Sequence, residues 1–246
     1  MSEVPFISFE GLKKAFGPKV IYDGLDLEVR RGETLTIIGG SGSGKSVLLK
    51  CLIGLLYPDS GSIRFEGSDV TAYGETQFRA MRKRVGMVFQ GSALFDSLTV
   101  GENIAYPLKE QMPELTPADI ADRVALNLRR VNLPGIEAMK PSDLSGGMRK
   151  RVGLARAIAT EPEVILWDEP TTGLDPLSTR IIDDLVISMK RELGCTSIVV
   201  THDMASARRV SDRVAMLAEK KIIEVGSLHD MEHSRTPQVR AFFEAA

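Results

Sequence analysis

The chain has 246 residues, room for one large domain or two small ones. Hydrophobic residues make up 43% and charged residues 26%, the balance of a globular protein with a sizeable core. A formal net charge of −2 leaves no bulk electrostatic case for nucleic-acid binding, so no nucleic-acid partner is expected.

In chain order, the opening MSEVPFISFE has no basic run followed by an apolar stretch, so it does not read as a secretory signal. ETLTIIGG (Glu33 to Gly40) is a short β-rich run ending in glycines, and SVLLKCLIGLL (Ser46 to Leu56) has the apolar content of a helix. The most apolar part of that helix, Val47 to Leu56, is interrupted by Lys50 and is too short to span a bilayer, so membrane association is expected only through a partner. Cys51 and Cys195 are too few for a disulfide framework and read as reduced thiols. VGMVF (Val85 to Phe89), EVILW (Glu163 to Trp167) and TSIVVT (Thr196 to Thr201) read as buried parallel strands. Strands alternating with helices predict an α/β sheet with helices on its faces.

The middle of the chain, from about Gly91 to Ala159, has few β-rich runs. Thr116-Pro117-Ala118-Asp119 offers an N-cap, a proline at the first helical position and an acid in the first turn. The helix it starts should run to about Val131, with Pro134 just beyond. The stretch is expected to form a helical subdomain inserted into the α/β core. The hexapeptide MRKRVG occurs at Met81 and again at Met148, before a strand in one case and within a continuing helix in the other.

Gly39 to Ser46 reads GGSGSGKS and fits G-x-x-x-x-G-K-[ST] between a predicted strand and a predicted helix. In Gly39, Gly40, Ser41, Gly42, Ser43 and Gly44, the glycines let backbone N–H groups turn inward around phosphate oxygens. The helix starting near Lys45 adds its positive end. Lys45 should reach the β- and γ-phosphates, and the Ser46 hydroxyl should ligate Mg²⁺. A dinucleotide site is disfavoured, because Lys45 occupies the third glycine position after Gly40-Ser41-Gly42. VILWDEP (Val164 to Pro170) is an apolar strand ending in two acids, at the edge where open α/β sheets bind ligands. Side chains alternate along a strand, so Asp168 and Glu169 can hold different tasks. Asp168 would accept from the metal's water shell, and Glu169 would polarise the attacking water.

LSGGM (Leu144 to Met148) opens a helix rich in arginine and alanine, a second anion-binding helix end. With this segment the sequence resembles the ABC transporter ATPase family, whose signature is usually LSGGQ. The resemblance covers nearly the whole chain, and the other motifs follow in order: Gln90, Gly173-Leu174-Asp175, and His202 in VVTHD. It implies a P-loop NTPase of RecA-like fold as a single domain over 1–246, with 1–90 and 160–246 as the core and 91–159 as the helical subdomain. It also implies ATP as ligand, held between the phosphate loop of one copy and Ser145, Gly146 and Gly147 of a second, head-to-tail copy. Glu169, His202 and Gln90 would serve hydrolysis, Ser46, Gln90 and Asp168 would serve Mg²⁺, and Phe16 would stack on adenine. Integral-membrane permease subunits are the implied partners, placing the chain on the cytoplasmic face of the inner membrane. Met148 in the signature, with FQGSALFDSLTVGENIAYPL (Phe89 to Leu108), looks like the ATPases of the maintenance-of-lipid-asymmetry (Mla) transporters, which work with MCE-domain lipid carriers. The implied alternatives are an ATPase for another cargo, such as an amino-acid importer, and a regulatory ATPase of the cell-division type. Leu94, Phe95 and Leu98 lie where the family receives a short permease helix; as apolar residues they could equally pack inside the subdomain.

Overall fold

The structure, a computed structural model, describes residues 4–244. Strands β1 (Ile7–Phe16) and β2 (Lys19–Val29) form an antiparallel hairpin. β3 (Thr34–Ile38) is buried at every residue and leads through the glycine loop into helix α1 (Lys45–Leu52). β4 (Ser60–Phe65) and β5 (Ser68–Asp69) return to the hairpin and complete a four-stranded antiparallel sheet in the order β2-β1-β4-β5. After α2 (Glu75–Arg82) and β6 (Val85–Val88) the chain is helical: α3 (Val100–Gln111), α4 (Pro117–Arg130) and α5 (Gly146–Ile158). It then alternates again through β7 (Val164–Asp168), α6 (Pro176–Leu193), β8 (Thr196–Val200), α7 (Met204–Val210) and β9 (Arg213–Ala218). β10 (Lys221–Gly226), α8 (Leu228–Glu232) and α9 (Pro237–Glu244) follow.

The second sheet has the order β10-β9-β3-β8-β7-β6. All its pairings are parallel except that of β10 with β9. Both faces are covered, which is why its strands read as continuous apolar runs. β7 shows the division: Val164 and Leu166 join the core shared with the antiparallel sheet and α1, while Ile165 and Trp167 join the core beneath the helices. Trp167 is fully buried, and its indole N–H donates to Ser197 Oγ at 3.2 Å. At the opposite end of the strands, Arg84 donates to Glu163 and Glu66, and Arg31 pairs with the same two acids. This four-residue ion network joins the two sheets at their edges.

The expected α/β sheet is present, but the antiparallel sheet was not anticipated. β1 does not keep a strict two-residue alternation, because its pairing with β2 shifts register between Phe9 and Leu12, around Gly11. The helix expected to reach Leu56 ends at Leu52. Gly54 takes φ +68°, and the N–H groups of Leu55 and Leu56 fold back to the Lys50 carbonyl. A Cβ at Gly54 would lie 2.4 Å from the Phe78 ring, so the turn is closed by packing as well as by backbone shape. α4 starts as expected: Thr116 Oγ1 accepts from Asp119 N–H, and Asp119 accepts from Thr116 N–H. The C-terminal stretch carries two short helices, α8 and α9.

Gly54→Ala should lower the unfolding free energy by about 1–3 kcal/mol, through steric conflict with Phe78 and the left-handed backbone. Urea denaturation followed by circular dichroism measures it.

Candidate functional site

Four adjacent parallel strands hand the chain over to a site residue at their C-terminal ends. Ile38 of β3 precedes the glycine loop, Val200 of β8 precedes Thr201 and His202, Asp168 of β7 precedes Glu169, and Val88 of β6 precedes Phe89 and Gln90. Register holds these ends level, since Val200 lies opposite both Ile37 and Asp168, and Trp167 lies opposite Val88. A cavity of about 510 Å³ opens above them. Phe16, Ser41, Gly42, Gly44, Lys45, Ser46, Gln90, Glu169 and His202 line it, so most of the sequence-derived candidates converge there.

The glycine loop is shaped by two close approaches. A Cβ on Gly39 would lie 2.4 Å from the Leu217 carbonyl oxygen, and one on Gly44 would lie 2.5 Å from Ile21 Cγ2. The Tyr22 hydroxyl donates to the Gly44 carbonyl at 2.5 Å from beneath the loop. Gly44 caps α1 with no side-chain hydrogen bond, so the first N–H groups of the helix are left to solvent or ligand. Ser43 Oγ is buried without a partner within the loop, while Gly40 and Ser41 are exposed. Lys45, 6% exposed, donates to the Gly39 and Gly40 carbonyls at 2.8 and 3.2 Å. Its ammonium lies 3.7 Å from Glu169 Oε1. Burial pulls its pKa down, opposed by the Glu169 and Asp168 charges.

Asp168, the last residue of β7, and Glu169, just beyond it in a left-handed conformation, point in different directions. Asp168 is buried on the α1 side and accepts from Ser46 Oγ at 2.5 Å. Glu169 faces the cavity, and its Oε2 accepts from Thr172 Oγ1 at 3.0 Å and meets His202 Nδ1 at 2.8 Å. An ionised carboxylate only accepts, so this contact assigns the proton to Nδ1. Glu169 takes φ +49°, a left-handed backbone that costs a non-glycine residue about 1–2 kcal/mol. Such strain concentrates where a side chain must be aimed. Phe16 is exposed at the rim, with the Lys14 ammonium 5.2 Å above its ring. Gln90, which lines the same cavity, is exposed.

Ser145, Gly146 and Gly147 do not join this cavity. They form the start of α5, where Ser145 Oγ accepts from Met148 N–H at 3.2 Å. Ser145 and Gly146 are exposed, and Met148 packs against the helical core. The sequence reading missed Lys150. It is buried in α5, and its ammonium donates to the carbonyls of Pro170 and Thr172 beside Glu169. It also missed Tyr22 beneath the loop. Cys51 and Cys195 are buried free thiols, and burial pushes Cys51 up to about 11.

A glycine loop, an acidic strand end and a lysine between them define a P-loop nucleotide hydrolase. The chain matches the model of the ABC transporter family over residues 22–172 and belongs to that family. It is a transporter ATP-binding subunit and an ATPase. It is 40% identical to the methionine import ATP-binding protein MetN of Caulobacter vibrioides, over 98% of this chain and 73% of that protein. It is also 40% identical to the intermembrane phospholipid transport system ATP-binding protein MlaF of Haemophilus influenzae, over 93% of this chain and 86% of that one. Among solved structures, a dimeric bacterial ABC transporter cassette superposes with a TM-score of 0.84 at 30% identity, covering 90% of this chain and 98% of that one. Among the described residues, no helix is long and apolar enough to cross a membrane.

Tyr22→Phe removes the only side-chain hydrogen bond found on the Gly44 carbonyl among the described residues. It should lower the unfolding free energy by about 0.5–1.5 kcal/mol. Chemical denaturation of the two proteins checks it.

Proposed function

We propose that this chain is one half of a head-to-tail ATP-hydrolysing pair that drives phospholipid movement through a membrane permease of the Mla type. The supporting observation is a split: Lys45, Ser46, Glu169, Gln90 and His202 share one cavity, while Ser145, Gly146 and Gly147 stand apart on α5. A nucleotide seated on the glycine loop then takes its remaining contacts from the Ser145 end of a second copy. Likeness to a cassette solved as a dimer agrees with this pairing.

In the proposed site Phe16 stacks on adenine, and the loop from Gly39 to Ser46 wraps the phosphates. Lys45, already held by two loop carbonyls, is aimed at the β- and γ-phosphate oxygens. Ser46 and Asp168 present hard oxygens to each other at 2.5 Å and Gln90 adds a side-chain oxygen nearby, a donor set that suits Mg²⁺. Bound there, Mg²⁺ supplies neutralising charge across the phosphate oxygens. Glu169 takes the proton of the attacking water, and His202, bonded to its carboxylate, orients it and reaches the γ-phosphate. Residues 91–159 act as the helical subdomain of a single domain over 1–246, with 1–90 and 160–246 as the RecA-like core.

The Mla assignment rests on Met148 in the signature and on likeness to MlaF; the equal identity to MetN supports amino-acid import as a second reading. In the Mla reading the pair lies on the cytoplasmic face of the inner membrane through its permease, with an MCE-domain lipid carrier in the same complex. Identifying the membrane protein that co-purifies with the chain separates the two: a permease operating with an MCE-domain protein supports lipid transport, and an amino-acid permease rejects it.

Glu169→Gln keeps the shape of the base without its proton affinity. Hydrolysis should fall by about 10²- to 10⁴-fold while ATP binding persists. Light scattering should then find a dimer in Mg-ATP and a monomer without it. A variant hydrolysing at the normal rate rules out Glu169 as the base.

The permease is proposed to dock in a groove of about 340 Å³ lined by Arg82, Phe89, Phe95, Tyr106, Gln111 and Arg156. Phe95 is 43% exposed there, with the Tyr106 ring 5.0 Å away, whereas Leu94 packs on the helical core. Phe95→Ala should therefore leave the melting temperature within a few degrees of the parent and sharply reduce co-purification with the co-expressed permease. A clear fall in melting temperature would place Phe95 in the core instead.

A further inference from the structure

Lys150 lies in the second turn of α5, five residues beyond Ser145, in a segment where a lysine would ordinarily reach solvent. It is instead 7% exposed. Its ammonium lies 2.9 Å from the Pro170 carbonyl, 2.6 Å from that of Thr172 and 3.5 Å from that of Glu169. An ammonium has three hydrogens, and here three backbone acceptors from one turn surround it.

That turn needs such a partner. It begins with Glu169 in a left-handed conformation, continues through Pro170, which has no N–H to give, and closes through a 3.3 Å bond from Thr172 N–H to the Glu169 carbonyl. Three carbonyl dipoles converge on one ammonium, whose charge strengthens each of these hydrogen bonds. Burial draws the Lys150 pKa down, and the Glu169 charge opposes that shift.

We infer that Lys150 is a positioning residue for ATP hydrolysis: it fixes the turn that aims the Glu169 carboxylate at the attacking water. It also ties that turn to the helix whose first residue is capped by Ser145. The inference rests on the proposal that Glu169 activates water.

Lys150→Met keeps the length and apolar stem of the side chain and removes every donor. In the full chain, steady-state hydrolysis should show kcat reduced roughly 10- to 100-fold, the scale of a misplaced catalytic group. KM, and the affinity for a fluorescent ATP analogue, should stay within about twofold of the parent. In a Glu169→Gln background, Lys150→Met should cause no further loss, because it acts through the missing carboxylate. A parent-like kcat, a matching loss of nucleotide affinity, or losses that multiply in the double variant would each overturn the role. If Lys150→Met does not fold, Lys150→Gln, which keeps two N–H donors, is judged by the same split between kcat and KM. Retained activity in Glu169→Gln alone would reject the base itself, a result separable from every outcome for Lys150.

Discussion

The loop from Gly39 to Lys45 has to pass between two walls with no space for side chains at its narrowest points. One wall is the Leu217 carbonyl of β9, and the other is the Ile21–Tyr22 stretch of β2. The two walls belong to different sheets, so the loop keeps its shape only if both sheets are built and held together. This gives the antiparallel sheet a purpose beyond covering α1: it supplies the floor on which the loop rests, down to the Tyr22 hydroxyl. The Arg31–Glu66–Arg84–Glu163 network closes the same pair of sheets at another edge. Its members are part-exposed, so it contributes more to alignment than to stability.

Level strand ends convert this scaffold into a site. Each of the four strands β3, β8, β7 and β6 contributes one short segment, and each segment is anchored by the ladder behind it. The chemistry therefore sits on loops while its geometry is set by strands, the division expected for open α/β sheets. Among the described residues that line the cavity, Glu169 is the only non-glycine with a positive φ, and it is the residue for which direction matters most. Its carboxylate is surrounded by Lys45, Thr172 and His202, three groups drawn from three different segments.

Much of this was legible in the residues. The β3, β6, β7 and β8 strands are short apolar runs because they are buried on both faces, and such runs need no periodicity to be seen. The hairpin of β1 and β2 was lost because Gly11 and its register shift interrupt the alternation that marks a half-buried strand. The repeated hexapeptide shows the limit of local reading. At Met81 it leaves a helix and enters β6, and at Met148 it stays within α5. Neighbouring strand β7 decides the first case, and the core beneath α5 decides the second. Lys150 was missed because a lysine among arginines suggests a solvated face. A signal was present: Leu154 and Ile158 follow at four-residue steps, and both are fully buried, so Lys150 begins an inward stripe.

Trp167 is the chain's single tryptophan, and it occupies the residue before Asp168 on the strand that carries the acids. Its indole is enclosed by the core beneath the helices and fixed by Ser197. Ultraviolet emission excited at wavelengths that indole absorbs and the four tyrosines do not therefore originates from one known point, beside the acids at the end of β7. The molecule contains its own optical label. Any event that loosens β7 against β8 changes the polarity around that one ring, and no second indole is present to obscure the signal.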